Sequence, residues 1–385
     1  MDNVRIGLIG VGSMGSAHAM YLHQGEINGA ELRAVFDVSE AQRKWARQYL
    51  KGVEIFADED AFFSSDDIDA ILIATPHYDH PRLANKAFEH DKHVLCEKPA
   101  GVYTKQVREM NELSQSKDLI FSMMYNQRTN PLYMKVRDMI QSGELGEIKR
   151  MNWIITNWYR SQSYYDSSSW RATWKGEGGG VLINQCPHQL DLWQWMTDLV
   201  PTKIRAFCQF GKNRAIEVED EVTAYIEHEN GATGVFVTTT GEAPGTNRLE
   251  IAGDRGKIVV EDERLLFWRL RIAESEFNQQ YKGGFGSPEC WECTIPVEGT
   301  ELGHKGITQN FVDAILTGKD LIAPGVEGIK GLTMSNAMQL STWIDDWVSF
   351  PLDEEGYYQH LQDRIKQSTV KKNETMNVLN VKGSH

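Results

Sequence analysis

Apolar positions in the first third of the chain come as short, nearly unbroken runs, each followed by a stretch with helical spacing. Residues 4–9, 32–36, 70–74, 93–96 and 119–125 are the runs, and 70–74 is apolar throughout, the pattern of a strand buried on both faces. Between them, residues 13–23, a stretch ending near Tyr49, 81–90 and 104–116 repeat apolar side chains every three or four positions, which predicts helices. Such alternation predicts an α/β domain over residues 1–126: a doubly wound parallel sheet, covered on both sides through right-handed crossovers.

After Asn130-Pro131 the pattern changes. A helix over 132–141 leads into segments with period-two alternation, 148–158, 203–210, 219–227, 233–240, 248–253 and 257–261, as in half-exposed antiparallel strands. Asn230-Gly231 lies between two of them and is a strong hairpin signal. Helical spacing interrupts the series at 185–197, 307–316 and 329–347. Residues 127–350 are therefore expected to form an α+β domain with a large, mostly antiparallel open sheet, followed by a polar tail over 351–385. A sheet with one free face invites a second copy of itself, so a homodimer or homotetramer through that sheet is expected.

Composition narrows the partners. Forty Lys and Arg against 54 Asp and Glu give a net charge of −14, and no local basic patch exceeds the pair Lys371-Lys372. Nucleic acid and anionic membranes are thereby disfavoured, leaving a small molecule or a protein. No apolar run reaches membrane-span length and the amino terminus lacks signal-peptide architecture, so a cytoplasmic location is expected. Five cysteines are few and odd in number; Cys290-Trp-Glu-Cys293 has no second pair and is read as a pair of loop cysteines. His77-x-x-His80 and His90-x-x-His93 flank one short helix at opposite ends, which is no geometry for a shared metal. Gly383-Ser384-His385 has the look of a tag remnant and is left out of the fold.

The sharpest chemical signal follows the first strand. In Gly10-Val-Gly12-Ser13-Met14-Gly15, the first glycine suits a tight turn, the second lets a pyrophosphate reach the backbone, and the third lets helix and strand pack closely. The helix amino terminus offers free N–H groups to the anion. Asp37 lies 22 residues beyond Gly15, at the end of the second strand, where a carboxylate accepts ribose hydroxyls and repels a 2′-phosphate, pointing to NAD over NADP. Thr75-Pro76 closes the third clear strand, and Asn126 and Arg128 follow the last one, at the carboxyl edge where ligands of such sheets collect.

Glu97-Lys98-Pro99 comes straight after the strand at 93–96, on the same edge. Burial and a neighbouring positive nicotinamide both disfavour a charged Lys98, which makes it a candidate proton acceptor. A second cluster runs from Gly178-Gly-Gly180 through Asn184, His188 and Asp191, with Pro187 suited to a first helical turn. The glycine triplet lets backbone approach something closely.

Together these segments resemble the glucose-fructose oxidoreductase/inositol dehydrogenase/rhizopine-catabolism (Gfo/Idh/MocA) family from Val4 to about Trp347, the Glu-Lys-Pro triplet and the Gly-triplet-to-His spacing being the more specific marks. The resemblance implies a Rossmann domain joined to an open-sheet domain, NAD(P) chemistry on sugars and cyclitols, Lys98 and His188 as catalytic residues, and Glu97, Asn126 and His80 near the cofactor. Many family dehydrogenases have aspartate where this chain has Asn184, whose amide keeps one acceptor oxygen but no charge. Asn184 is accordingly expected to orient the substrate, and the missing anion to leave the pKa of Lys98 lower than an aspartate would.

Between the two clusters stand Trp153, Trp158-Tyr159-Arg160, Tyr164-Tyr165, Trp170-Arg171 and Trp174-Lys175, many of the chain's 11 tryptophans. Aromatic faces stack on sugar rings and cationic side chains donate to hydroxyls or carboxylates, so Tyr159, Arg171 and Trp174 are expected substrate contacts. Three activities fit: an NAD-dependent dehydrogenase for a secondary hydroxyl of a sugar, glycoside or cyclitol; NAD-assisted glycoside cleavage by oxidation, elimination and reduction; and a non-catalytic NAD-binding regulator. Intact Lys98 and His188 favour the first.

Overall fold

The computed structural model describes residues 3–368. Its first sheet is built from β1 (Val4–Ile9), β2 (Ala30–Phe36), β3 (Glu54–Phe56), β4 (Ala70–Ile73), β5 (His93–Cys96) and β6 (Phe121–Met123). The helices between them are α1 (Ser13–His23), α2 (Glu40–Tyr49), α3 (Glu59–Phe63), α4 (Asp79–Glu89) and α5 (Thr104–Gln115). The strands run parallel in the order β3-β2-β1-β4-β5-β6. All four residues of β4 are buried, as their apolar run requires. Strand order reverses between β1 and β4, which opens a crevice at their carboxyl ends. The pair β3 and α3 escapes a periodicity reading because both are short; Asp58 caps α3 by accepting from Ala61 N, and Phe62 and Phe63 anchor it in the core.

A 3-10 turn at Asn126–Thr129 leads to α6 (Pro131–Gln141), then β7 (Ile148–Ile155) and the short helices α7 (Gln162–Tyr165) and α8 (Val181–Asn184). Next come α9 (Pro187–Thr197), β8 (Pro201–Phe210), β9 (Glu219–His228), β10 (Thr233–Thr239), β11 (Asn247–Gly253), β12 (Gly256–Glu261), β13 (Arg264–Leu270), α10 (Glu274–Gln280) and β14 (Cys290–Ile295). The chain ends through α11 (Gly303–Thr317), α12 (Gly328–Ile344), β15 (Val348–Ser349) and α13 (Glu354–Gln367). The second sheet is nine-stranded, in the order β14-β13-β12-β11-β7-β10-β9-β8-β15, antiparallel except where β10 meets β7. Ile204, Ala206 and Cys208 of β8 turn inward toward α12, while Phe207 and Tyr225 on the opposite face are 55% and 39% exposed. Late helices return to the first domain: Ile307, Phe311 and Val312 of α11 and Leu332 of α12 pack into its core.

Several expectations are corrected. The helix read over 185–197 is α9 and starts two residues later, at Pro187, which has no N–H to donate; the separate short helix α8 just before it was not read. Cys290 and Cys293 lie on β14, not in a loop; polar neighbours hide that edge strand, and three residues along a strand put the two thiols on opposite faces. The tail expected from residue 351 contains a helix, α13, capped by Asp353 through Gly356 N at 2.9 Å and fixed by fully buried Tyr357 and Leu361. It reads as polar because only one side of it is covered. Lys371, Lys372 and the Gly383-Ser384-His385 terminus lie outside the described residues. Among those residues no helix is long and apolar enough to cross a membrane, and no group of three or more His, Cys, Asp or Glu is arranged to hold a metal.

Candidate active site

The glycine turn after β1 can be tested atom by atom. Gly10 has φ +87°, and a Cβ there would stand 2.7 Å from Ala74 O. A Cβ on Gly15 would fall 1.8 Å from Gly10 O, so helix and turn pack too closely for any side chain. A Cβ on Gly12 would meet no protein atom within 4 Å. Among the described residues nothing demands glycine at that exposed position, which fits a cradle whose other wall is the pyrophosphate at the start of α1, where Ser13 and Met14 stand. Asp37 closes the turn from β2: its Oδ2 accepts from Val11 N at 2.8 Å and its Oδ1 from Ser39 N at 2.7 Å, leaving further lone pairs on both oxygens. At the same carboxyl edge, Thr75 Oγ1 and Asn126 Oδ1 are buried without a hydrogen-bond partner. An NAD dinucleotide fits this cradle: an open glycine for its phosphates and polar atoms that lack partners among the described residues. A valine at Gly12 should leave thermal stability unchanged but weaken NAD about a hundredfold or more, roughly 2.7 kcal/mol, by titration calorimetry.

Lys98 stands at the end of β5. Its Nζ donates to the Asn184 carbonyl at 2.8 Å, joining the first domain to the second across the crevice. Burial pushes its pKa below the ordinary lysine range; the Arg171 and Arg160 charges push the same way, while Glu97 and Glu177 oppose. Glu97 is held from behind, its Oε1 2.7 Å from His18 Nε2, and His18 Nδ1 is 2.6 Å from Tyr21 Oη, itself 2.8 Å from Thr308 Oγ1 on α11. Burial is the strongest single influence and works against ionisation of Glu97, yet the His18 hydrogen bond and the neighbouring positive charges together outweigh it, keeping the carboxyl at about 2.

The glycine triplet serves the protein itself. Gly180 N donates to Glu219 Oε1 at 2.8 Å, and a Cβ on Gly180 would fall 2.0 Å from Glu219 O. Leu182 N at 3.2 Å and Gln339 Nε2 at 3.2 Å also donate to that buried carboxylate, so β9 and α12 clamp the segment that carries Asn184. His188 sits in the first turn of α9, its Nδ1 buried without a partner and its ring 6.2 Å from Tyr125. Burial foremost, then the Lys98 charge, lowers its pKa to about 3, so the imidazole is neutral at working pH. An unfolded chain takes up that proton near pH 6.5, so folding stability should fall as pH drops below that value. Between pH 7 and 5 the wild type should lose about 2 kcal/mol more than His188→Asn in urea unfolding.

Not every nominated residue reaches the crevice. His80 is fully buried, with Nδ1 2.7 Å from Pro99 O and Nε2 2.8 Å from Thr75 O; it braces the two strand ends from behind instead of lining the cofactor site. Trp174 is 5% exposed and packed against Phe210 and Trp343, a core residue and not a sugar platform. Arg128 turns inward with the 3-10 turn and pairs with Asp191 and Glu327. Tyr159 is at the surface beneath the Arg214 guanidinium. Arg171 donates to Tyr164 Oη at 2.7 Å and lies over the Tyr164 and Trp170 rings. Sequence reasoning missed Glu177, Glu219, His18 and His77. Each is a polar side chain buried at a position that periodicity assigns to core or loop, and only its partners reveal it.

Comparisons with known proteins place the chain in a family. Residues 4–125 match the model of an oxidoreductase family with an NAD-binding Rossmann fold, and residues 133–259 match the GFO/IDH/MocA C-terminal domain. The chain is 33% identical to an inositol 2-dehydrogenase of Pseudarthrobacter chlorophenolicus, over 79% of this chain and 96% of that protein. It is 25% identical to a levoglucosan dehydrogenase of Pseudarthrobacter phenanthrenivorans, over 91% of this chain and 99% of that one. The WlbA dehydrogenase of Chromobacterium violaceum, solved with NADH and UDP-GlcNAcA, superposes with a TM-score of 0.78 at 25% identity, covering 92% of this chain and 97% of its own. The protein thus belongs to the Gfo/Idh/MocA oxidoreductases and binds NAD in its amino-terminal Rossmann domain.

Proposed function

We propose that the protein is an NAD-dependent dehydrogenase that oxidises a secondary hydroxyl of a sugar, glycoside or cyclitol. The observation that carries this reading is the Lys98 amine, partly buried at the carboxyl edge of the first sheet and bonded to the Asn184 carbonyl. NAD, when bound, supplies the hydride acceptor. Oxidising a CH–OH group also releases the hydroxyl proton, and a lysine whose pKa is depressed by burial is suited to take it at Nζ. Neutral His188 offers its free ring nitrogen as a second hydrogen-bonding group for the same hydroxyl. Asn184 Oδ1 remains an acceptor for a substrate hydroxyl, and Arg171 with Tyr164 forms a wall suited to a polyhydroxylated ring. Asp37 favours NAD over NADP by repelling a 2′-phosphate.

The names of the relatives, inositol and levoglucosan dehydrogenases, support a polyol or anhydrosugar substrate class. A spectrophotometric screen of free sugars, anhydrosugars, glycosides and inositols, with NAD and separately NADP, tests the reading. NADH should accumulate with at least one of them, and with NAD in preference to NADP. Tight NAD binding without turnover of any of these classes contradicts it, and free sugar released from a glycoside without net NADH would point to cleavage instead. The half-exposed aromatic face of the second sheet, Phe207 and Tyr225 above all, is suited to a second copy of the chain. Sedimentation should return a dimer or tetramer, and Phe207→Asp should shift it toward monomer.

A further inference from the structure

Glu177 is 1% exposed, in the loop just before the glycine triplet. Its Oε1 accepts from Asn184 Nδ2, its Oε2 accepts from Ala172 N, and Arg171 Nη1 lies 4.0 Å from Oε1. Its backbone oxygen faces His77 Nδ1 at 3.2 Å, which pins the loop to the strand end after β4. A carboxylate only accepts hydrogen bonds, so the amide of Asn184 must turn its NH2 group to Glu177. That leaves Asn184 Oδ1, for which no hydrogen bond is seen among the described residues, as the atom available to a ligand. The same Asn184 offers its backbone carbonyl to Lys98 Nζ.

We propose that Glu177 is a positioning residue that supplies the site's negative charge from behind Asn184 and fixes the amide so that its oxygen receives the substrate hydroxyl. The pair Asn184–Glu177 thereby does in two residues what a single aspartate at 184 would do in one: the acceptor faces the substrate and the charge stands one layer back. The inference rests on the dehydrogenase reading given above. The charge also bears on Lys98, whose pKa Glu177 raises together with Glu97 of its own turn. Facing Lys98 from the other elements are Arg160 and Arg171, His77, Cys186 and His188, and His304 of α11. None of these groups is a carboxylate, so Glu177 is the anion that the second domain brings to Lys98 beside Glu97 of its own turn, and its removal should be felt.

Three variants of the full chain test this: Glu177→Gln, Asn184→Asp and the two combined. The first readout needs no substrate: the pH dependence of acylation of Lys98 by an amine-reactive reagent, followed by mass spectrometry. Glu177→Gln should move the Lys98 titration to lower pH by about half to one unit, Asn184→Asp to higher pH, and the combination back toward the wild type. The second readout is kcat against pH with a substrate found in the screen, where Glu177→Gln should lower kcat about tenfold or more with KM changed less, and the ascending limb should move with Lys98. A folded Glu177→Gln with unmoved titration and unchanged kcat overturns the proposal. If that variant does not fold, an unmoved Lys98 titration in Asn184→Asp overturns it. Because the acylation readout is independent of turnover, a failed substrate screen would sink the dehydrogenase reading and leave the charge placement standing.

Discussion

Lys98→Ala is expected to lower kcat/KM for the enzyme's sugar or cyclitol by about 10²–10⁴ at neutral pH, the range of positioned acid–base catalysis. NAD affinity should change only a few-fold, because the cradle around Gly12 and Asp37 is built from β1, β2 and α1, away from the lysine. The size of the effect follows from the geometry. The amine is held at one place by the Asn184 carbonyl, and burial lowers its pKa, so at working pH a larger share of it is in the form that takes a proton. Lys98→Arg should be almost as damaging, since a guanidinium keeps its proton at any accessible pH. A Lys98→Ala enzyme with wild-type turnover would remove the lysine from the mechanism.

The largest stability loss is expected at the Arg128–Asp191 pair. The two side chains are 2% and 3% exposed and joined bidentately, Nε to Oδ2 at 2.8 Å and Nη2 to Oδ1 at 2.6 Å; Nη1 reaches Glu327 at 2.6 Å. This knot binds the turn after β6 to α9, which carries His188 three residues earlier, and to the start of α12. Arg128→Met strands a buried carboxylate and should cost about 3–5 kcal/mol in urea unfolding. The double variant Arg128→Met/Asp191→Leu removes both charges and should recover most of that loss. A loss below about 1 kcal/mol in Arg128→Met would show that the carboxylate finds water or another partner.

Legibility of the sequence followed how local each cause was. The parallel sheet, the glycine turn and Asp37 could be read because strand runs, helix spacing and a φ-demanding glycine all act within a few dozen residues. The open sheet was legible in its middle strands, where one face is buried, and not at β13 and β14, whose exposed positions blur the alternation. Lys98, Asn184 and His188 were nominated from two separate stretches, and the fold brings Lys98 onto the Asn184 carbonyl. What stayed hidden depends on long-range partners: Arg128 looked like a crevice residue until Asp191 claimed it, Trp174 like a sugar platform until Trp343 covered it. Glu177 had no signature at all, since a glutamate in a glycine-rich loop reads as solvated surface until its burial against Asn184 is seen.

The most direct test is a crystal structure of the protein with NADH and a carbohydrate from the screen. The account predicts the nicotinamide ring in the crevice between the two sheets, with the reacting hydroxyl at Lys98 Nζ and His188 and another substrate hydroxyl donating to Asn184 Oδ1. A nicotinamide bound elsewhere, with the Lys98 amine turned into bulk solvent, would contradict it.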